Sequence, residues 1–155
     1  MKRRLQWTAD ALTIVVGLAI VAVLAGRFFD RPEPLTPGQI DGAAVGVDFT
    51  AASRTLMMVV QSDCRYCEQS KPFYERLPRS GDLQVIIAAP PGDLGIDSYR
   101  ELVRPDDIVF VGPGELPVSA TPTLLLVNGE GVVESAWIGL LNGQREAEVI
   151  EALSG

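Results

Sequence analysis

Residues 11–26 form an uncharged, mainly apolar run, closed by Asp10 and Arg27 and preceded by a basic start of Lys2, Arg3 and Arg4. A run of this kind behind basic residues addresses a membrane, so it divides a chain of 155 residues into parts that fold apart. As a helix it reaches about 24 Å, short of a hydrocarbon core of about 30 Å. Trp7 ahead of it and Phe28 and Phe29 behind it supply interfacial aromatics, and Asp10 and Arg27 reach toward water. We therefore expect a single transmembrane helix within residues 1–29, a signal anchor in the inner (cytoplasmic) membrane. The positive charges keep the N-terminus cytoplasmic and place the rest on the periplasmic, extracytoplasmic side. The alternative is a signal peptide cleaved near Ala25, after which the protein is secreted. The aromatic flanks favour the retained span, and either route ends in a disulfide-permissive compartment.

Residues 30–44 hold Pro32, Pro34, Pro37, Gly38 and Gly42 and read as a partly extended tether. Without residues 1–26 the chain has 10 basic and 19 acidic side chains, a net −9 against −7 for the whole. An anionic bilayer surface repels such a domain, and nucleic acid, which needs clustered Lys and Arg, is excluded as a partner.

Residues 45–155 read as one α/β domain. The stretches 55–61 and 83–89 are continuous apolar runs of strand length, as expected of strands buried on both faces. Helical character follows the first from 64 to about 77, a short helix fits 98–103, and a brief strand fits 108–111. Residues 123–127 and 132–138 form a hairpin about Asn128-Gly129-Glu130-Gly131. A last helix over 145–153 sets Ala147, Ile150 and Leu153 at threefold spacing. Strands that alternate with helices and then pair as a hairpin predict a central mixed β-sheet flanked by helices.

The chain holds two cysteines and no histidine. Imidazole-based triads and imidazole-bound metals are thereby excluded. Cys64 and Cys67 stand as C-x-x-C where the first strong strand hands over to a helix. There the first sulfur meets free backbone N–H groups and the positive end of the helix dipole, which favours thiolate. The second lies one turn on and deeper, so one cysteine attacks and the other resolves. A c-type haem site needs a histidine where Glu68 stands, and a zinc site needs a second ligand pair, so no metal and no organic cofactor is expected. A purely structural bridge closing so short a loop constrains the unfolded chain little. Redox chemistry through a Cys64–Cys67 disulfide is the favoured reading.

Pro72 lies inside the predicted helix, where it removes a backbone bond to Glu68, and Thr121-Pro122 opens the hairpin strand. The order of strand, C-x-x-C helix with a late proline, strand, helix, Thr-Pro strand, hairpin and terminal helix resembles the thioredoxin-like family. The resemblance covers residues 45–155 and is densest over 121–153. It implies a thioredoxin-like fold in which Pro122 is a cis-proline packed against the disulfide and Thr121 presents backbone to an extended substrate. The anchor makes the chain similar to tethered periplasmic members that act on exported thiols.

The chain departs from the family's pattern at several places. Asp63 stands where a tryptophan is usual, and Arg65-Tyr66 replaces a Gly-Pro or similar pair. Asp63 pushes the Cys64 thiol pKa up and Arg65 pulls it down. Asp63 is also a natural helix N-cap. Met58 occupies the place of a buried aspartate, leaving proton handling to Glu68 or water. The expected activity is exchange of disulfides with exported proteins, reduction preferred over oxidation or isomerisation, with a membrane electron-transfer partner. The alternative is a redox-inactive binding module or assembly factor for a membrane complex.

Overall fold

The computed structural model describes residues 38–79 and 81–154. The proposed membrane segment lies outside the described residues, among which no helix is long and apolar enough to cross a membrane. Five strands form one sheet in the order β3-β2-β1-β4-β5: β1 (Arg54–Val59), β2 (Leu83–Ala89), β3 (Asp107–Phe110), β4 (Thr123–Asn128) and β5 (Val133–Ile138). β1, β2 and β3 run parallel, whereas β4 is antiparallel to both β1 and β5. The helices are α1 (Gly42–Val45), α2 (Arg65–Tyr74), α3 (Asp97–Val103) and α4 (Gly143–Ser154). Short 3₁₀ turns lie at Phe49–Ala51 and Leu94–Ile96.

β1 lies at the centre, and its residues 55–58 are fully enclosed. Alternation sends Leu56 and Met58 to one face and Met57 and Val59 to the other, so each face needs its own cover. Fully burying a side chain of this size stabilises by about 1.5–3 kcal/mol, so β1 contributes on both faces of the sheet. Leu56 and Met58 pack in a cluster with Phe73 of α2, Tyr99 of α3 and Leu153 of α4. Among the described residues no long helix covers the opposite face. Ile40, Val45 and Phe49 cover it from one side, and Val111 and Leu116 from the other.

Packing thus reaches into the stretch read as tether. Gln39 bridges to Val132, the Ile40 N–H donates to the Gly131 carbonyl, and the Val133 N–H donates to the Gly38 carbonyl. Gly131 adopts φ +79°, and a Cβ there would lie 2.5 Å from the Ile40 carbonyl oxygen, so both turn and crossing demand glycine. Asn128 closes the hairpin by accepting at Oδ1 from the N–H groups of Glu130 and Val132.

The strand and hairpin expectations hold within two residues. The chain leaves β1 after Val59 instead of continuing to Gln61, because it must turn into α2. On α4 the threefold spacing proves to be the wrong line. Val149 and Leu153 are buried and Ile150 is half-buried, but Ala147 is exposed. Steps of three drift by about 60° around a helix, so two of them carry Ala147 out to solvent. The α4 end is tied to the start of β1, where the Arg54 guanidinium donates to the carbonyls of Ala152 (2.8 Å) and Leu153 (3.3 Å). A cation at this end also complements the helix dipole.

Tyr74 is buried, and burial pushes its pKa up to about 12 against a weaker lowering by Ser70. Burial likewise raises Tyr99, with the Glu68 carboxylate adding to it. A phenol whose pKa is raised by folding stabilises fully below its unfolded value near 10 and loses that contribution as pH rises through the folded value. Denaturation of the full chain, followed by far-UV circular dichroism, is expected to show stability falling between pH 10 and 12. Tyr74→Phe should flatten part of that fall, and an unchanged slope would show that Tyr74 ionises freely in the folded state.

Candidate active site

The site stands where β1, β2 and β4 meet the loops at one end of the sheet. β1 extends past Val59 through the Val60 N–H, which donates to the Ala88 carbonyl, and then turns at 61–63 into α2. Cys64 and Cys67 form a disulfide with Cα atoms 5.1 Å apart. Asp63 does not cap the helix. Cys64 does so itself: its backbone is extended (φ −97°, ψ 106°), and its Sγ accepts from the Cys67 N–H at 3.1 Å. The reason is register. The Cys64 carbonyl accepts the first intrahelical bond, from Glu68 at 3.1 Å, so the cap position falls one residue after the aspartate. An N-cap sulfur aimed at the first helical turn occupies the place where negative charge is best tolerated, a physical basis for a Cys64 thiolate.

The two sulfurs differ in access. Cys67 is 0% exposed, and Cys64 keeps 8% at the surface. Cys64 is thus the outer residue of the pair and Cys67 the inner one. Met58 lies in the same buried cluster as Cys67 and offers no base.

Of Thr121 and Pro122, Thr121 reaches the disulfide through its carbonyl. The bond between them is cis, and Cys64 Sγ sits 3.5 Å from the Thr121 carbonyl oxygen. In the disulfide that sulfur carries no proton, so the approach is a contact. Pro122 is buried and its carbonyl accepts from the Gly139 N–H at 2.7 Å, while the Thr123 hydroxyl donates to the Ala120 carbonyl at 2.7 Å. These bonds fix the loop from both sides.

The four other residues singled out on α2 and before it stand around the rim. Asp63 and Arg65 are exposed, and Tyr66 is 56% exposed. Glu68 is exposed and held by Lys71 at 2.7 Å. Lys71 also lies 4.7 Å over the ring of Tyr99, whose buried hydroxyl has no protein partner among the described residues. Among those residues no cluster of side chains could hold a metal ion.

Sequence reasoning missed the brace behind the 61–63 turn. Asp93 Oδ2 accepts from the Ser62 N–H at 2.7 Å, and its Oδ1 accepts from the Gly95 N–H at 3.1 Å. Burial alone would raise the Asp93 pKa, but the bonds from Ser62 and Gly95 outweigh it, and the net shift is downward. A Cβ on Gly95 would collide with Ser62. The signal available in the sequence was the Asp-x-Gly spacing after Pro90-Pro91, an Asx-turn pattern.

Asp93→Ala is expected to cost about 1–3 kcal/mol, since it leaves the Ser62 N–H without its charged partner. It should also raise the apparent pKa of Cys64 by loosening the turn that aims it, read by the pH dependence of alkylation of the reduced protein. Asp93→Asn, which keeps an acceptor, should recover most of both effects. Equal alkylation profiles for all three proteins would show the brace to be irrelevant to the sulfur.

No protein-family model matches the chain, and no curated protein matches it in sequence. Solved structures do. A thiol:disulfide interchange protein of the thioredoxin family from Chlorobium tepidum TLS superposes with a TM-score of 0.54 at 12% identity, over 81% of this chain and 99% of that one. The thioredoxin domain of a thiol-disulfide oxidoreductase from Bacteroides vulgatus gives 0.50 at 14% identity, over 70% and 83%. Together with the strand order, these likenesses show a thioredoxin-like fold.

Proposed function

We propose that the protein is a membrane-tethered, extracytoplasmic thiol-disulfide oxidoreductase that works preferentially as a reductase of exported proteins. The observation that carries the reading is the unequal pair: Cys64, buried but for 8% of its area, accepting the Cys67 N–H and facing the Thr121 carbonyl, and Cys67 fully enclosed. The two solved structures named above are of proteins named for thiol-disulfide exchange, which agrees, but the reading stands on the site, since one fold hosts many functions.

In the reducing direction the Cys64 thiolate attacks one sulfur of a client disulfide. A mixed disulfide forms, and the other client sulfur leaves as a thiolate and takes a proton from water. Cys67, deprotonated, then attacks Cys64 Sγ, releases the second client sulfur as a thiolate and closes the Cys64–Cys67 bond. Two electrons have passed to the client. A dithiol donor at the membrane, by the reverse exchange, restores the pair. Thr121 and Pro122 hold the client backbone beside Cys64, while Asp63, Arg65, Tyr66 and Glu68 tune the rim. Membrane tethering rests on the apolar run at 11–26 behind basic residues.

The second reading, a binding module, draws on Met58, which leaves the resolving thiol without a neighbouring carboxylate in the sheet. One experiment separates the two. Cys67→Ser in the full chain should accumulate mixed disulfides with exported proteins on non-reducing gels, and Cys64→Ser should trap none. A reduction potential near or below about −270 mV would mark a reductase, and one near −120 mV an oxidant. If Cys67→Ser traps nothing while a stoichiometric partner survives loss of both thiols, the module reading replaces the enzyme.

A further inference from the structure

The helix that carries both cysteines has a break of its own. Pro72 has no N–H to give to the Glu68 carbonyl, so the backbone ladder of α2 loses a bond shortly after Cys67. Lys71 stands at that break. Its Nζ lies 2.7 Å from Glu68 Oε1, across the turn that lacks the bond. The same ammonium donates to Ser98 Oγ at 3.3 Å and sits 4.7 Å over the ring of Tyr99. An ion pair between two exposed side chains contributes little. Lys71 differs, because its side chain is only 23% exposed and its charge stands over a fully buried ring.

The bonds continue from Lys71 toward the sulfur. The Ser98 hydroxyl donates to the Gly95 carbonyl at 3.1 Å, and the Gly95 N–H donates to Asp93 Oδ1 at 3.1 Å. Asp93 Oδ2 in turn accepts from the Ser62 N–H at 2.7 Å, just ahead of Cys64. Cys64 caps the helix that carries Lys71, so the bonds form a closed ring. It leaves α2 at Lys71, runs through residues 93–98 and returns at the 61–63 turn. The cap sulfur lies in the stretch of chain between the two points of attachment.

We propose that Lys71 is a positioning residue of the redox pair: its clasp on Ser98 and Tyr99 closes this ring and keeps Cys64 in the cap geometry that favours its thiolate. The proposal rests on the redox reading of Cys64 and Cys67 and adds a residue that acts on the attacking sulfur through α3. Lys71 acts by geometry and not by its own field. Its place in α2 sets it about 10 Å along the axis from Cys64, near the screening length of physiological salt, and Glu68 already pairs it.

The test reads the pH dependence of Cys64 alkylation by iodoacetamide in the reduced full chain, with the modified residue located by mass spectrometry. Lys71→Met keeps an unbranched side chain but removes the charge and the donors. It is expected to raise the apparent pKa of Cys64 and to slow alkylation below that pKa about two- to fivefold, the scale of an interaction at a helix end. Lys71→Arg, which keeps charge and donors, should recover most of the loss. Ser98→Ala leaves the charge of Lys71 in place but opens the ring at an exposed position, so it should shift the profile in the same direction. Added to Lys71→Met it should change nothing more, because both remove one clasp. A wild-type profile in Lys71→Met overturns the inference. A wild-type profile in Ser98→Ala overturns it too, since Lys71 would then act by charge alone. So does a return to the wild-type profile when Glu68→Gln is added to Lys71→Met. The redox reading is judged separately: capture of no exported protein by Cys67→Ser overturns that reading, while the alkylation profiles still decide whether Lys71 positions Cys64.

Discussion

The need to cover β1 on both faces organises the molecule. Its enclosed residues alternate between faces, so a single layer of helices cannot satisfy them. α2, α3 and α4 take one side. The other falls to residues 40–49 and to the loop at 111–118, which lie over Met57 and Val59. Short segments cover less than a long helix does, and an uncharged cleft lies where that cover ends, over Val59 and Ala88 at the edge of the redox site. The cleft is thus a consequence of how the second face is closed.

The same constraint places the chemistry. Because β1 is central and pairs with both β2 and β4, the turns after β1 and β2 and the turn before β4 converge at one end. Cys64, Asp93 and Thr121 come from those three turns. Each is far from the others in sequence, and each is locked locally: Cys64 as the cap of α2, Asp93 to Ser62, and the Thr121-Pro122 loop through Thr123 and Gly139. Rigid strands supply the positions, and short polar bonds set the angles.

This explains what could be read from sequence. Runs such as 55–61 and 83–89 announce buried strands because their apolar character is a property of the strand itself, and Asn128-Gly129 announces its turn likewise. The C-x-x-C pair suggests its chemistry because it needs only a helix start, whereas Thr121-Pro122, just before β4, is singled out through the resemblance to the thioredoxin-like family. The cap was misassigned by one residue, since an N-cap is defined by which carbonyl accepts the first helical bond, and composition alone does not number that bond. Ala147 was misplaced for a similar reason, as the packed line of α4 depends on its rotation against the sheet. The Asx-turn of Asp93 with Gly95 has a local signal, but its bond to Ser62 does not, because that pairing joins residues far apart in the chain that only the fold brings together.

Met58 shows the limits of both views. A carboxylate at this position would sit at 0% exposure in the centre of the sheet, where an unpaired charge is costly and the group stays protonated instead. Such a residue can move a proton for a neighbouring thiol at the expense of stability. This chain places a methionine there, which packs with Cys67 and contributes to the core. In the proposed exchange Met58 offers the Cys67 thiol no carboxylate to take its proton, and the nearest surface lies on the Cys64 side. The packing of β1 and the proton handling of the proposed reaction thus meet in one side chain.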